Sequence, residues 1–300
     1  MTSQAYSPSI SFQPEAANLN GTSMQIRLGY DIQFTLPQRA EMIAMLRVHP
    51  SRSADLLEPD FLRVDPGVAI EAYMDSFGNT CCRFEAPAGE LRLWTSALIQ
   101  DSGEPDRRDE STQLSDIRSL PPETLQYLLA SRYCEVDCLS ETATTLFGHL
   151  APGWPTVNAI CDWVHRSVTF GYHFARVTKT AVDVYKERQG VCRDFQHLAI
   201  AFCRCMKIPA RYATGYLGDI GVPEDPNPMD FSAWFEVYLG GRWWTLDARH
   251  NTPRIGRVLI AVGRDAADVA ITTSFGPALL TGFKVVTDEV APGKNGLPGL

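Results

Sequence analysis

One helix that begins at a cysteine constrains the fold of this chain more than any other feature. It opens with Gly190 and Cys192, and the apolar residues that follow recur at the spacing of a single helix face: Phe195, Leu198, Ala199, Phe202, Cys205 and Met206. Cys192 lies in the first turn on that face, where free backbone N–H groups and the helix dipole favour a thiolate. The pattern therefore predicts a nucleophilic Cys192. The alternative is a small buried apolar residue, which we expect of the other cysteines.

Three strands are predicted after this helix, over residues 210–217, 232–239 and 242–248, with a loop at 218–230. Gly240 and Gly241 suit a two-residue hairpin turn, which makes Ser232 a diagonal neighbour of Asp247 on one face. Such a spacing fits a histidine paired with a carboxylate. The first position holds Ser232 instead, and its hydroxyl is too weak a base to take a thiol proton near neutral pH.

Three histidines are candidates to replace that missing base. His250 lies three residues after Asp247 and becomes a surrogate base if a turn after Ala248 swings it inward; otherwise it is a surface or structural residue. His197 points away from Cys192 on an α-helix, which favours a structural role. His173 precedes the helix and approaches the site only if its loop does.

Aromatic residues are candidates for the walls of the cleft. Trp234 and Trp244 lie on the predicted hairpin, and Tyr172 lies shortly before the helix that begins at Cys192. Aromatic side chains on a hairpin belong to the hydrophobic core as often as to a binding cleft, so both readings stay open for the two tryptophans.

Composition narrows the classes of function. The net charge is −8, and neither a basic stripe nor a glycine-rich phosphate loop is present, so nucleic acid and nucleotide cofactors are not expected. The cysteine spacing does not suit zinc and no acidic loop suits calcium, so no metal or other cofactor is expected. No apolar run is long enough to span a membrane, and the amino terminus does not resemble a signal peptide, which favours a cytoplasmic protein.

Changes in composition along the chain predict five regions. They are a disordered lead-in over 1–24, an all-β domain over 25–105, a linker with short helices over 106–149, a catalytic-type core over 150–286 and a flexible tail over 287–300. The turn Asp75-Ser76-Phe77-Gly78-Asn79 interrupts the strands of the β-domain.

Three sequence segments resemble the transglutaminase-like superfamily, which includes bacterial cysteine-protease-like proteins: GVCRDFQHLAIAF, IPARYATGYL and DFSAWFEVYLGGRWWTLDAR. The resemblance implies an α+β fold whose papain-like core packs helices on an antiparallel sheet, preceded by a small all-β domain. It assigns Cys192 as nucleophile and Asp247 as the acid that orients a histidine. The position of that histidine is Ser232.

Two functions follow from this resemblance. The first is an enzyme that forms an acyl-thioester at Cys192 and cleaves or transfers an amide of a peptide or protein substrate. The second is a catalytically inactive module that binds an extended peptide or a protein partner in the same cleft. The sequence decides neither the substrate, nor hydrolysis against transfer, nor the oligomeric state.

Overall fold

The computed structural model describes residues 23–290, and its fold is α+β, as predicted. Its helices are α1 (Pro122–Leu125), α2 (Val136–Phe147), α3 (Trp154–Ser167), α4 (Ala181–Glu187) and α5 (Cys192–Cys205). Its strands are β1 (Met24–Leu36), β2 (Ala40–Ala44), β3 (Leu56–Glu58), β4 (Arg63–Asp65), β5 (Glu71–Met74), β6 (Thr80–Ala86), β7 (Gly89–Asp101), β8 (Thr169–Phe170), β9 (Gln189–Gly190), β10 (Ala210–Tyr216), β11 (Ser232–Leu239), β12 (Arg242–Leu246), β13 (Val258–Gly263), β14 (Thr272–Ser274) and β15 (Leu279–Glu289).

Two antiparallel sheets form the β-domain. One has the order β15-β1-β7-β3, with β4 also on β7, and the other has the order β14-β2-β6-β5. Buried residues alternate along β1, where Ile26, Leu28, Tyr30 and Ile32 are almost fully enclosed. This period of two is the pattern of strands with one face on a hydrophobic core.

The end of the described chain returns to the β-domain, which the sequence did not predict. β15 pairs antiparallel with β1 from Ile26↔Glu289 to Thr35↔Leu279, and β14 pairs with β2. The predicted boundary of the core at residue 286 is therefore wrong, and residues 287–289 are strand rather than flexible tail. The remainder of the predicted tail, 291–300, and most of the predicted lead-in, 1–22, lie outside the described residues.

The second half of the chain packs helices on the antiparallel sheet β12-β11-β10-β13. α5 lies against β10 and β11 and contacts α2, α3 and α4 on its other sides. Its apolar residues, including Phe195, Leu198 and Phe202, are buried as predicted. Each such side chain contributes about 1.5–3 kcal/mol through burial. None of the helices between residues 23 and 290 combines the length and apolar character needed to cross a lipid bilayer.

The hairpin β11–β12 has the predicted register. Leu239 pairs with Arg242 and Phe235 with Leu246. Gly240 and Gly241 have φ angles of +57° and +85°, so both central residues of the turn occupy the left-handed region that favours glycine. This register places Ser232 and Asp247 toward the end of the sheet away from the turn.

Asn79, in the turn between β5 and β6, joins the β-domain to the core sheet. Its side chain is fully buried; its amide nitrogen donates to the carbonyl of Val262 on β13 at 2.8 Å, and its amide oxygen accepts from the Val262 N–H at 2.8 Å. Phe77 of the same turn packs on Ala213 and Trp234. The two halves are thus held by directional bonds as well as by apolar contact.

Replacing Asn79 with alanine should destabilise the protein by about 2–4 kcal/mol, because two buried backbone groups of Val262 lose their partners. Urea unfolding followed by fluorescence measures the change. Asn227→Ala is the control, since Asn227 is exposed and its side chain bonds to its neighbour Asp225. Equal unfolding midpoints for the two variants would mean that Asn79 does not hold the halves together.

Candidate functional site

Cys192 is the first residue of α5, as predicted. The Val191 N–H before it donates to Asp194 Oδ2 at 2.9 Å, which ties the start of the helix. A Cβ on Gly190 would come within 2.6 Å of the Asp194 Cβ, so only glycine allows this approach. The tight entry fixes the Cys192 sulfur at the amino-terminal end of the helix.

The prediction that the helix terminus favours a thiolate is wrong for the resting protein. Burial raises the pKa of the Cys192 thiol to about 11, and the Asp230 and Asp247 carboxylates raise it further. The Arg249 charge and the Arg193 backbone N–H act in the opposite direction but do not outweigh desolvation. Cys192 is therefore a neutral thiol at neutral pH and needs a proton acceptor to react as a nucleophile.

His250 and Asp247 form a hydrogen-bonded pair, and His250 lines the same cleft as Cys192. His250 Nδ1 lies 2.8 Å from Asp247 Oδ2. Desolvation opposes ionisation of Asp247, but the hydrogen bond from His250 and the charge of Arg257 outweigh it and hold the pKa of that carboxyl well below its usual range. Because the carboxylate carries no proton, Nδ1 must donate, so Nε2 is the proton acceptor in the neutral form of the ring. The turn after Ala248 thus brings His250 into the cleft. This turn is what the sequence alternative of His250 as a surrogate base required.

Two residues that sequence reasoning missed hold Asp247 in place. Gln196, fully buried and one turn after Cys192, donates from Nε2 to Asp247 Oδ1 at 3.0 Å and accepts from the Ala248 N–H at 3.1 Å. Arg257 Nη2 donates to Asp247 Oδ2 at 3.0 Å. For Gln196, an available signal was its position four residues after Cys192 in a helix that is otherwise apolar on that face.

Cys192, Ser232 and His250 line one cleft of about 450 Å³. Tyr172, the aromatic residue before α5 that the sequence offered as a cleft wall, also lines it. Six carboxylates also face the cleft, from the loop after β10 and from the end of β15, against two arginines: Asp219, Glu224, Asp225, Asp230, Asp288 and Glu289 against Arg249 and Arg254. Within residues 23–290, no group of three or more His, Cys, Asp or Glu side chains is arranged to hold a metal ion.

Ser232 begins β11, opposite Gly215 on β10, and its carbonyl accepts a hydrogen bond from the Thr214 hydroxyl. Among the described residues, the Asp247 carboxylate forms hydrogen bonds with Gln196, Arg249, His250 and Arg257. None of its hydrogen bonds involves the hydroxyl of Ser232. The histidine that pairs with Asp247 therefore comes from the turn after β12, and the start of β11 supplies no side-chain partner.

The two tryptophans predicted as possible cleft walls belong to the core. Trp234 is 2% exposed and packs with Ala213 and Val262, whereas Trp244 donates to the Leu239 carbonyl and packs on Trp154. The face of the sheet that carries Trp234 is covered by the β-domain, so it has no cleft to line. The core reading is thus the right one for both.

The other histidines considered as bases lie elsewhere. His197 is fully buried, accepts from the Ala266 N–H through Nε2 at 3.1 Å and stacks on Tyr133, as its structural reading predicted. Burial lowers its pKa well below the ordinary value. His173 lies on an exposed turn with its ring against Phe174, and it does not line the cleft.

Alkylation of Cys192 by iodoacetamide should be slow at neutral pH and should accelerate up to about pH 11. The thiol is neutral below its pKa of about 11, so the thiolate fraction, and with it the rate, grows about tenfold per pH unit on approach. Peptide mass mapping after timed labelling measures this. A rate at Cys192 that is already maximal at pH 7 would contradict the assignment of a neutral resting thiol.

Comparison with known proteins places this site in a family. The sequence model of the transglutaminase-like superfamily matches residues 142–248, which include Cys192, Ser232 and Asp247. An uncharacterized protein of Mycobacterium leprae (ML0607) is 27% identical over 215 residues, covering 68% of this chain and 75% of that protein. An uncharacterized protein of Mycobacterium tuberculosis (Rv2569c) is 29% identical over 231 residues, covering 69% and 73%.

A solved structure from Cytophaga hutchinsonii, described as a "Putative Cysteine Protease", is similar over nearly the whole chain. It is 32% identical, has a TM-score of 0.79, and the match covers 90% of this chain and 92% of that one. The similarity therefore includes the β-domain as well as the helices and sheet around Cys192. The chain belongs to the transglutaminase-like superfamily and has a cysteine-protease-like fold.

Proposed function

We propose that this protein cleaves or transfers an amide bond of a peptide or protein substrate through an acyl-thioester on Cys192, with His250 as the base that the family places at position 232. The observation that carries the proposal is the Asp247–His250 hydrogen bond of 2.8 Å in the cleft that also contains Cys192. A histidine oriented by a buried carboxylate beside a cysteine is the arrangement that activates a thiol nucleophile.

The reaction begins when His250 Nε2 accepts the Cys192 proton and the sulfur attacks the acyl carbon of the substrate. The carbon–nitrogen bond breaks, the imidazolium returns the proton to the leaving amine, and the acyl group remains on sulfur as a thioester. Water or a second amine then attacks the thioester, gives a proton to Nε2, and the sulfur leaves and regains it. Asp247 stabilises the imidazolium during both steps and stays ionised throughout.

The charge around the cleft influences which substrates bind. Its six carboxylates exceed its two arginines, and Arg249 is also engaged with the ring of Phe170. A negative cleft raises the local concentration of positively charged substrates and disfavours acidic ones. Basic peptide segments therefore suit this site better than acidic segments.

The alternative function is a binding module without chemistry. It is favoured by the neutral Cys192 thiol and by Ser232 at the histidine position of the family. Such a module keeps an extended peptide in the cleft but forms no covalent intermediate, which separates the two functions experimentally.

Incubation with p-nitrophenyl acetate tests the proposal directly. We expect a burst of p-nitrophenolate and one acetyl group per protein, which peptide mapping should locate on Cys192. Hydroxylamine should remove it, as it removes thioesters. Acetylation spread over surface lysines, with Cys192 unmodified, would instead support the binding module.

A further inference from the structure

Arg257 and Asp106 connect the linker segment to the pair that we propose for catalysis. Arg257 Nη2 donates to Asp247 Oδ2 at 3.0 Å, and Nε donates to Asp106 Oδ2 at 2.9 Å. The Arg257 side chain is 6% exposed and lies over the ring of Trp234. Asp106 also accepts from the Arg254 N–H, and its own N–H donates to the Arg254 carbonyl. A residue of the predicted linker is therefore fixed behind the site.

Asp247 Oδ2 is shared between a permanent cation and a titratable ring. It accepts from both Arg257 and His250 Nδ1. An unpaired carboxylate favours the charged form of a neighbouring histidine, and an arginine on the same oxygen offsets that effect. A histidine that is already protonated cannot accept the proton of Cys192, so the balance of these charges decides whether the base is ready.

We propose that Arg257, held by Asp106, is a positioning residue that occupies one side of Asp247 and so keeps the His250 ring oriented and in its uncharged, proton-accepting form. The inference rests on the proposed function only for its catalytic consequence. Its effect on the His250 ring belongs to the resting protein and can be measured without a substrate.

Other charges around His250 act in both directions, and each is unchanged in the variants that test the proposal. They are Asp247 and Arg249 on its own segment, Arg254 shortly after it, Tyr172, the Cys192 thiol on α5, and the six carboxylates of the cleft: Asp219, Glu224, Asp225 and Asp230 from the loop after β10, and Asp288 and Glu289 at the end of β15. Hydrogen bonds from Asn227 are the main reason that the pKa of Asp225 is lowered, and electrostatic interactions with Arg249 and His250 add to this lowering. The proposal therefore concerns the change that each variant causes and not an absolute value.

Titration of the His250 ring by NMR in the full chain, with the signal assigned through His250→Gln, tests the proposal. Arg257→Gln should move the titration midpoint upward by about 1–2 pH units, because a nearby positive charge is lost. Asp106→Asn should move it downward, because the charge of Arg257 is no longer offset. Arg257→Lys should lie near the wild type, because the charge is retained.

Arg211→Gln is the matched control. It removes a partly buried arginine paired with Glu236 at 2.6 Å on β10 and β11, outside the cleft. Opposite shifts for Arg257→Gln and Asp106→Asn support the proposal, since general loosening would not reverse sign. Shifts in one direction, or shifts no larger than that of Arg211→Gln, overturn it. If Arg257→Gln does not fold, the sign of the Asp106→Asn shift alone decides, and an upward or absent shift counts against the proposal.

Failure of the proposed function gives a different pattern. In that case no acetyl group appears on Cys192 in any variant, while the His250 shifts remain. If both proposals hold, the low-pH limb of the acetylation rate moves with the NMR midpoint in each variant.

Discussion

Replacing Cys192 with alanine should remove acetylation by p-nitrophenyl acetate and should lower any amide turnover by at least about 10³-fold. The sulfur forms the covalent bond to the acyl group, so the thioester cannot form without it. Rapid mixing with mass detection of the adduct measures the first effect, and release of amine from a basic peptide library measures the second.

Cys205→Ala is the control for that variant. Cys205 ends the same helix, is partly buried, and its thiol donates to the Val136 carbonyl away from the cleft. Its replacement should leave the acetylation rate within about twofold of the wild-type rate, since a small change far from the cleft affects stability more than chemistry. Retention of the adduct in Cys192→Ala would show that another residue carries the reaction.

Replacing His250 with glutamine should lower the rate constant for acylation by about 10²–10⁴-fold, the range typical of a lost general base. Substrate binding should change little, because the ring is replaced by a side chain of similar polarity at the cleft wall. The expected signature is therefore a fall in kcat with KM nearly unchanged. Single-turnover kinetics with p-nitrophenyl acetate isolate the acylation step.

Ser232→Ala is the comparison that decides which position supplies the base. We expect the acylation rate to fall by less than about threefold, since the Ser232 hydroxyl is too weak a base to take the thiol proton. A large loss in Ser232→Ala, together with full activity in His250→Gln, would return the role to the position that the family resemblance indicated.

Local patterns predicted much of the core. The apolar spacing after Cys192 gave the buried face of α5, and the glycine pair at 240 and 241 gave the register of the hairpin. Both depend on interactions within a few residues along the chain, which residue type and spacing encode directly. The resemblance of three segments to a known superfamily added the expected neighbours of Cys192.

The parts that were missed depend on contacts distant in sequence. β15 pairs with β1 across more than two hundred residues, so no local pattern in 279–289 reveals its partner. Trp234 is in the core because Phe77 of the β-domain covers that face of the sheet. An isolated hairpin with one solvated face would have looked the same in sequence.

The chemistry of the site also depended on the tertiary structure. Helix position alone predicted a thiolate at Cys192, but desolvation in the folded cleft outweighs the helix terminus. Arg257 is ten residues from Asp247, and only the approach of β13 brings it to the carboxylate. The surrogate His250 could be proposed from the sequence, but its selection needed the turn after Ala248.

The most direct test of the central claim is the pH dependence of Cys192 acylation in single-turnover experiments with p-nitrophenyl acetate, compared between the wild type and His250→Gln. If His250 receives the thiol proton, the wild type is acylated about 10²–10⁴-fold faster than the variant around neutral pH. The rate of the variant rises only toward the alkaline titration of the thiol at about 11, where the two profiles converge. Superimposable profiles would contradict the claim.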